Sequence, residues 1–64
     1  MKIILPEGRL KELQIAQGSI EIVLKRLGIN PVVVVVAKNG RIVAELDQIR
    51  DEDELKIIRI IHGG

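Results

Sequence analysis

The sequence closes on Leu55-Lys56-Ile57-Ile58-Arg59-Ile60-Ile61-His62-Gly63-Gly64. Its first part is a β-branched apolar run, which suits a pleated, buried surface and predicts the last strand of a sheet. Its second part is a pair of glycines. Glycine ordinarily serves a turn or a close backbone approach, and here no turn follows. Two readings are open. A side-chain-free tail can thread a narrow channel and present a terminal carboxylate to a partner's active site. A chain end is also where order is commonly lost. The strand that feeds the tail, and what precedes it, tip the balance to the first.

Working back from Leu55, Asp51-Glu52-Asp53-Glu54 is a charged turn and Leu46 to Arg50 a partly irregular connection. Arg41-Ile42-Val43-Ala44 is a short strand. Asn39-Gly40 is a two-residue hairpin signal of the type I′ kind, and Val32 to Ala37 is the strongest strand in the chain. Asn30-Pro31 forbids continuation of what comes before it. That is a helix: Ile20, Val23, Leu24 and Leu27 recur at i, i+3, i+4, i+7. Ser19 is its expected N-cap and Gly28 its left-handed C-terminal cap, with Ile29 folding back on the last turn. Glu21 and the pair Lys25 and Arg26 complement the helix dipole. Ile22 lies off the apolar face. At the start, Met1 to Leu5 and Leu10 to Ile15 are strands joined by the turn Pro6-Glu7-Gly8-Arg9, hence an antiparallel hairpin.

The order is strand, strand, helix, strand, strand, strand. One helix covers one face of a sheet and leaves the other open. A helix between a hairpin and later strands crosses over the sheet and sets the first and last strands parallel at its centre. The expected fold class is α+β: a β-grasp (ubiquitin-like) mixed sheet with one helix packed across one face. Residues 1–64 form a single domain, with 62–64 as a flexible C-terminal tail. The expected core is Met1, Ile3, Leu5, Leu13, Ile15, Ile20, Val23, Leu24, Leu27, Val34, Val36, Val43, Leu55 and Ile57.

Composition narrows the function classes. A chain of 64 residues buries only about 60% of its unfolded surface, so its packing must be good. There is no Cys, hence no disulfide, thiolate metal site or cysteine nucleophile; this suits a reducing, cytoplasmic setting. A net charge of +1 and the lack of any aromatic residue argue against direct nucleic-acid binding. The apolar runs are too short to span a bilayer.

The whole chain resembles the ubiquitin-like sulfur carriers (the ThiS/MoaD-like family, with the archaeal ubiquitin-like small modifiers). The resemblance is carried by Met1-Lys2-Ile3, Gly18-Ser19-Ile20, Lys38-Asn39-Gly40-Arg41-Ile42-Val43, and Asp51-Glu52-Asp53-Glu54-Leu55 with Gly63-Gly64. Glu52 stands where the family often has glycine between two acids. The connection after Val43 is shorter than in many thiamine carriers and closer to molybdopterin-type carriers and archaeal modifiers. The resemblance implies a sulfur carrier whose Gly64 carboxylate is adenylated by an activating enzyme using ATP and Mg and then becomes a thiocarboxylate. The sulfur would serve molybdopterin or thiamine biosynthesis or tRNA thiolation. The implied partners are the activating enzyme, a sulfur-donor protein and a downstream synthase or target protein. A modifier joined to lysines through Gly64, or a plain β-grasp interaction domain, are the alternatives. In either of the first two cases the chain is a co-substrate and not an enzyme, with Gly63 and Gly64 as its reactive end and no bound cofactor or metal.

The remaining candidates weigh less. A lone His62 with no second ligand reads as a solvated tail residue. The acid run lacks the ligand spacing of a calcium loop and reads as a solvated turn, or as a contact for a basic patch on an activating enzyme. More telling, Val32 to Val36 does not alternate as a half-exposed strand should. The open face therefore gathers Ile4, Val33, Val35, Ala37, Ile58 and Ile60, an apolar surface of the kind that docks a partner or a second copy.

Overall fold

A computed structural model describes residues 1–60; the expectations placed on His62, Gly63 and Gly64 lie outside the described residues. The elements are β1 (Lys2–Ile4), β2 (Leu10–Glu12), β3 (Gln17–Ser19), α1 (Ile20–Leu27), β4 (Val34–Lys38), β5 (Arg41–Val43), β6 (Gln48–Arg50) and β7 (Glu54–Arg59), with a 3₁₀ turn over Pro31–Val33. Five strands form a sheet in the order β2-β1-β7-β4-β5. β1 lies parallel to β7, Ile3 opposite Leu55, and β4 runs antiparallel to β7, Val36 opposite Ile57. First and last strands are thus parallel at the centre, which is the β-grasp arrangement. At eight residues, α1 is far too short to cross a membrane.

α1 drops Ile20, Val23 and Leu24 onto Ile3, Val34, Val36, Leu55 and Ile57 of the sheet, with Met1, Ile15 and Ile49 completing the core. Leu5, Leu13, Leu27 and Val43 pack half-buried against it. Gly28 ends α1 in the left-handed region at φ 71°. The Ile29 N–H donates to the Leu24 carbonyl at 2.9 Å and the Gly28 N–H to that of Lys25 at 3.1 Å, so the last turn's carbonyls are satisfied. Asn39 (φ 51°) and Gly40 (φ 86°) both take positive φ, as a type I′ turn requires.

Four expectations are corrected. The second strand ends at Glu12 rather than Ile15, because the chain swings inward to bury Ile15. Gln17-Gly18-Ser19 is a strand, and it pairs with the supposedly irregular stretch at Gln48–Arg50, Gly18 opposite Ile49. That pairing buries Ile49, absent from the expected core. Ser19 sits at the N-cap, but its hydroxyl makes no capping bond. Instead the Ile20 and Glu21 N–H groups donate to the carbonyls of Asp47 (3.1 Å) and Glu45 (2.9 Å), which the β3–β6 pairing brings alongside. Finally, Val32 and Val33 belong to the 3₁₀ turn, where Asn30 Oδ1 accepts from the Val32 N–H at 3.0 Å.

Candidate functional site

β7 is the element that carries the tail. Leu55 and Ile57 point into the core while Glu54, Lys56 and Ile58 point out, the period of two expected of a strand with one covered face. Being paired on both edges, β7 is held against β1 and β4 at once. The β1 pairing ends at Lys56, and on the β4 side the contact persists to the last described residue: the Ile60 N–H donates to the Val33 carbonyl at 2.8 Å. The segment 61–64 therefore starts from a fixed point at one end of the sheet.

At the other end of β7 the acid run is a clasp. The Asp53 carboxylate accepts from the Arg50 N–H (2.8 Å) and from the Asn39 side-chain amide (2.9 Å). Asn39 Oδ1 accepts from the Glu54 N–H at 2.9 Å, and the Asn39 N–H donates to the Glu54 carbonyl at 2.8 Å. The hairpin tip is thereby pinned to the start of β7. Asp51 accepts from the Met1 ammonium at 3.1 Å and the Ile15 N–H at 3.4 Å. Both carboxyls are held below the ordinary aspartate range. For Asp51 the chief cause is the hydrogen bond from the Met1 ammonium, then the Ile15 N–H; for Asp53 it is the Arg50 N–H, then Asn39. Glu52 is not among the positive-φ residues, so the glycine common at this place is not needed here. Among the described residues no three metal-ligating side chains gather together.

The open face holds the other expected site. Ile4, Val35 and Ala37 are half-buried there, and Ile58 (39%) and Ile60 (38%) are exposed. Val35 stands opposite Ile58. Val33 departs from the expectation: it lies in the 3₁₀ turn and packs against the core. The registers add residues that the sequence reasoning missed. Leu10 lies opposite Ile4, Ile42 opposite Ala37, and Lys56 is paired with both Ile4 and Ala37. One row across the face thus reads Leu10, Ile4, Lys56, Ala37, Ile42, an apolar row with a single ammonium at its centre. Ile42 was within reach of the sequence, because a two-residue turn at Asn39-Gly40 fixes its partner as Ala37. Leu10 was not, because the longer first turn leaves that register free.

The family model described as the ThiS family matches residues 7–64. The chain is 31% identical to the sulfur carrier protein TtuB of Thermus thermophilus, over the full length of both. Its fold superposes on the crystal structure of a thiamine biosynthesis protein, ThiS, from Geobacter metallireducens, with a TM-score of 0.70, 17% identity and complete coverage of both chains.

Proposed function

The chain belongs to the ThiS family, and from that premise we propose that it is a sulfur carrier acting through a Gly64 carboxylate. A carboxylate is a poor electrophile because its charge is delocalised. In the proposed first step it attacks the α-phosphorus of Mg-bound ATP on an activating enzyme, and pyrophosphate leaves. A sulfide-level donor then attacks the acyl carbon and AMP leaves, giving a thiocarboxylate at Gly64 ready for a downstream acceptor. The chain contributes the carboxyl group and no acid, base or metal; it is a co-substrate. The observation that carries this reading is β7, paired with β1 through Lys56 and held along β4 and Val33 up to residue 60, immediately before a segment whose last two residues have no side chain. A Cβ at either glycine would widen the tail where a channel must close on it. The activating enzyme docks on the open face through Ile4, Val35, Ala37, Ile58 and Ile60, with Leu10 and Ile42 extending the patch. Val33 is left out because it packs inward.

With no Cys in the chain, a thiocarboxylate is the only thiol-like group it could carry. Treated with its activating enzyme, ATP and a sulfur donor, the protein gains the mass difference of sulfur for oxygen. It then accepts one equivalent of an alkylating reagent, placed on Gly64 by fragmentation, and omitting ATP abolishes the label. An adenylate that no sulfur donor converts, while lysines of other proteins become joined to Gly64, replaces the carrier reading with the modifier reading. Failure of every activating enzyme of the same cell to form an adenylate ends both.

A further inference from the structure

A cavity of about 310 Å³, part apolar and part polar, lies between the end of α1, the turn after β1 and the end of β7. Its apolar walls include Leu5, Leu27, Ile29 and Val33, all half-buried, and two exposed cations, Lys11 and Arg59, complete them. Among the described residues neither cation has a carboxylate within ion-pair distance. Glu7 also lines the cavity, but it lies 3.6 Å from the Arg9 guanidinium.

Cations outnumber carboxylates in the lining of this groove, Lys11 and Arg59 against Glu7. Of the nine acidic residues, only Glu7 lines it. Glu12 sits opposite Lys2 at the far end of β1, Glu21 is in the first turn of α1, Glu45 and Asp47 lie against the start of α1, and Asp51 to Glu54 lead into β7. The groove also adjoins the root of the tail, since Val33 in its wall is the residue whose carbonyl holds Ile60.

We propose that this groove receives an acidic segment carrying one branched aliphatic side chain, presented by the same partner that takes the C-terminal residues. The aliphatic side chain fills the space between Leu27, Ile29 and Val33, and the flanking carboxylates meet Lys11 and Arg59. A contact this small is weak by itself. Beside an already engaged tail it acts at high effective concentration and adds to the grip without a large surface. The inference rests on the proposed function for the identity of the partner. The chemistry of the groove stands apart from it.

Two arms test the proposal, and only one contains the activating enzyme. In the first, the labelled full chain is titrated with acetyl-Asp-Leu-Glu-amide and followed by NMR. Saturable shifts are expected at Leu27, Ile29 and Val33, absent in Lys11→Glu/Arg59→Glu and absent with acetyl-Lys-Leu-Lys-amide on the natural chain. No groove shifts overturns the proposal, whether or not adenylation proceeds. In the second arm, Lys11→Glu raises the KM of the full chain in adenylation by about tenfold, the scale of one lost charge contact, with kcat unchanged and more salt narrowing the gap. An unchanged KM overturns the shared-partner claim. The chain also offers a rival occupant in Glu45-Leu46-Asp47, whose Leu46 is 75% exposed. Concentration-dependent self-association that Leu46→Ser abolishes would assign the groove to a second copy instead and overturn the proposal.

Discussion

At Gly28 the backbone is left-handed, and nothing lies within 4 Å of where a Cβ would stand. The strain of a substitution there is purely conformational, so Gly28→Ala lowers stability by about 1 kcal/mol. Gly18 has no positive φ, and an added Cβ would meet Ile22 Cδ1 at 3.4 Å, Ile15 Cγ2 at 3.7 Å and Ile22 Cβ at 3.9 Å, all ordinary contact distances. Gly18→Ala therefore changes stability by less than about 0.5 kcal/mol, although Gly18 is one of the residues that carry the family resemblance. Urea unfolding of the two variants side by side checks both. The aspartates give a pH test. Their folded-state pKa values are depressed, so their contribution is present above the ordinary carboxylate value, about pH 4. It is lost as pH falls through the folded values. Asp51→Asn/Asp53→Asn is accordingly less stable than the natural chain at neutral pH, and the difference disappears in strong acid. A difference that stays constant with pH would show that neither charge is used.

At the scale of the elements, α1 is too short to persist in isolation. It exists because Ile20, Val23 and Leu24 are sealed against the sheet and because the loop after β5 supplies carbonyls to its first two N–H groups. The β3–β6 ladder holds that loop in place, and Ile49, 1% exposed, is its anchor. Ile49→Ala should cost about 2–5 kcal/mol, a large share of the about 3–10 kcal/mol available to a chain of this length. Ile42→Ala, at a site 65% exposed, should cost less than about 0.5 kcal/mol. Thermal and urea melts separate the two; equal losses would mean that β6 is not part of the cooperative unit.

For the whole molecule, the two faces of one sheet divide the labour. The helix side holds the fold together and the open side is available to a partner. Val35→Lys/Ile58→Lys changes a facing pair on the open side. It should leave a folded monomer and weaken the activating-enzyme complex by at least about 2 kcal/mol, the scale of a hot-spot loss. Circular dichroism and calorimetric titration measure the two halves. A folded double variant adenylated as well as the natural chain would remove the open face from the docking reading.

The sequence by itself determined the fold class, the central parallel pair, the helix with its Gly28 cap, the type I′ turn and nearly all of the core. Those features follow from local signals: a period of 3.6 in α1, β-branched runs at Val34 and Leu55, and a glycine where φ must be positive. What only the tertiary structure decided are the long-range pairings. Gly18 meets Ile49 across some thirty residues, and a single isoleucine between Gln48 and Arg50 carries no periodicity that marks it as core. The same holds for Ser19, whose expected capping role passes to distant carbonyls once β3 and β6 pair. It holds for the groove as well, because Lys11 in β2, Ile29 after α1 and Arg59 in β7 come from three separate parts of the chain and nothing in their spacing announces that they meet.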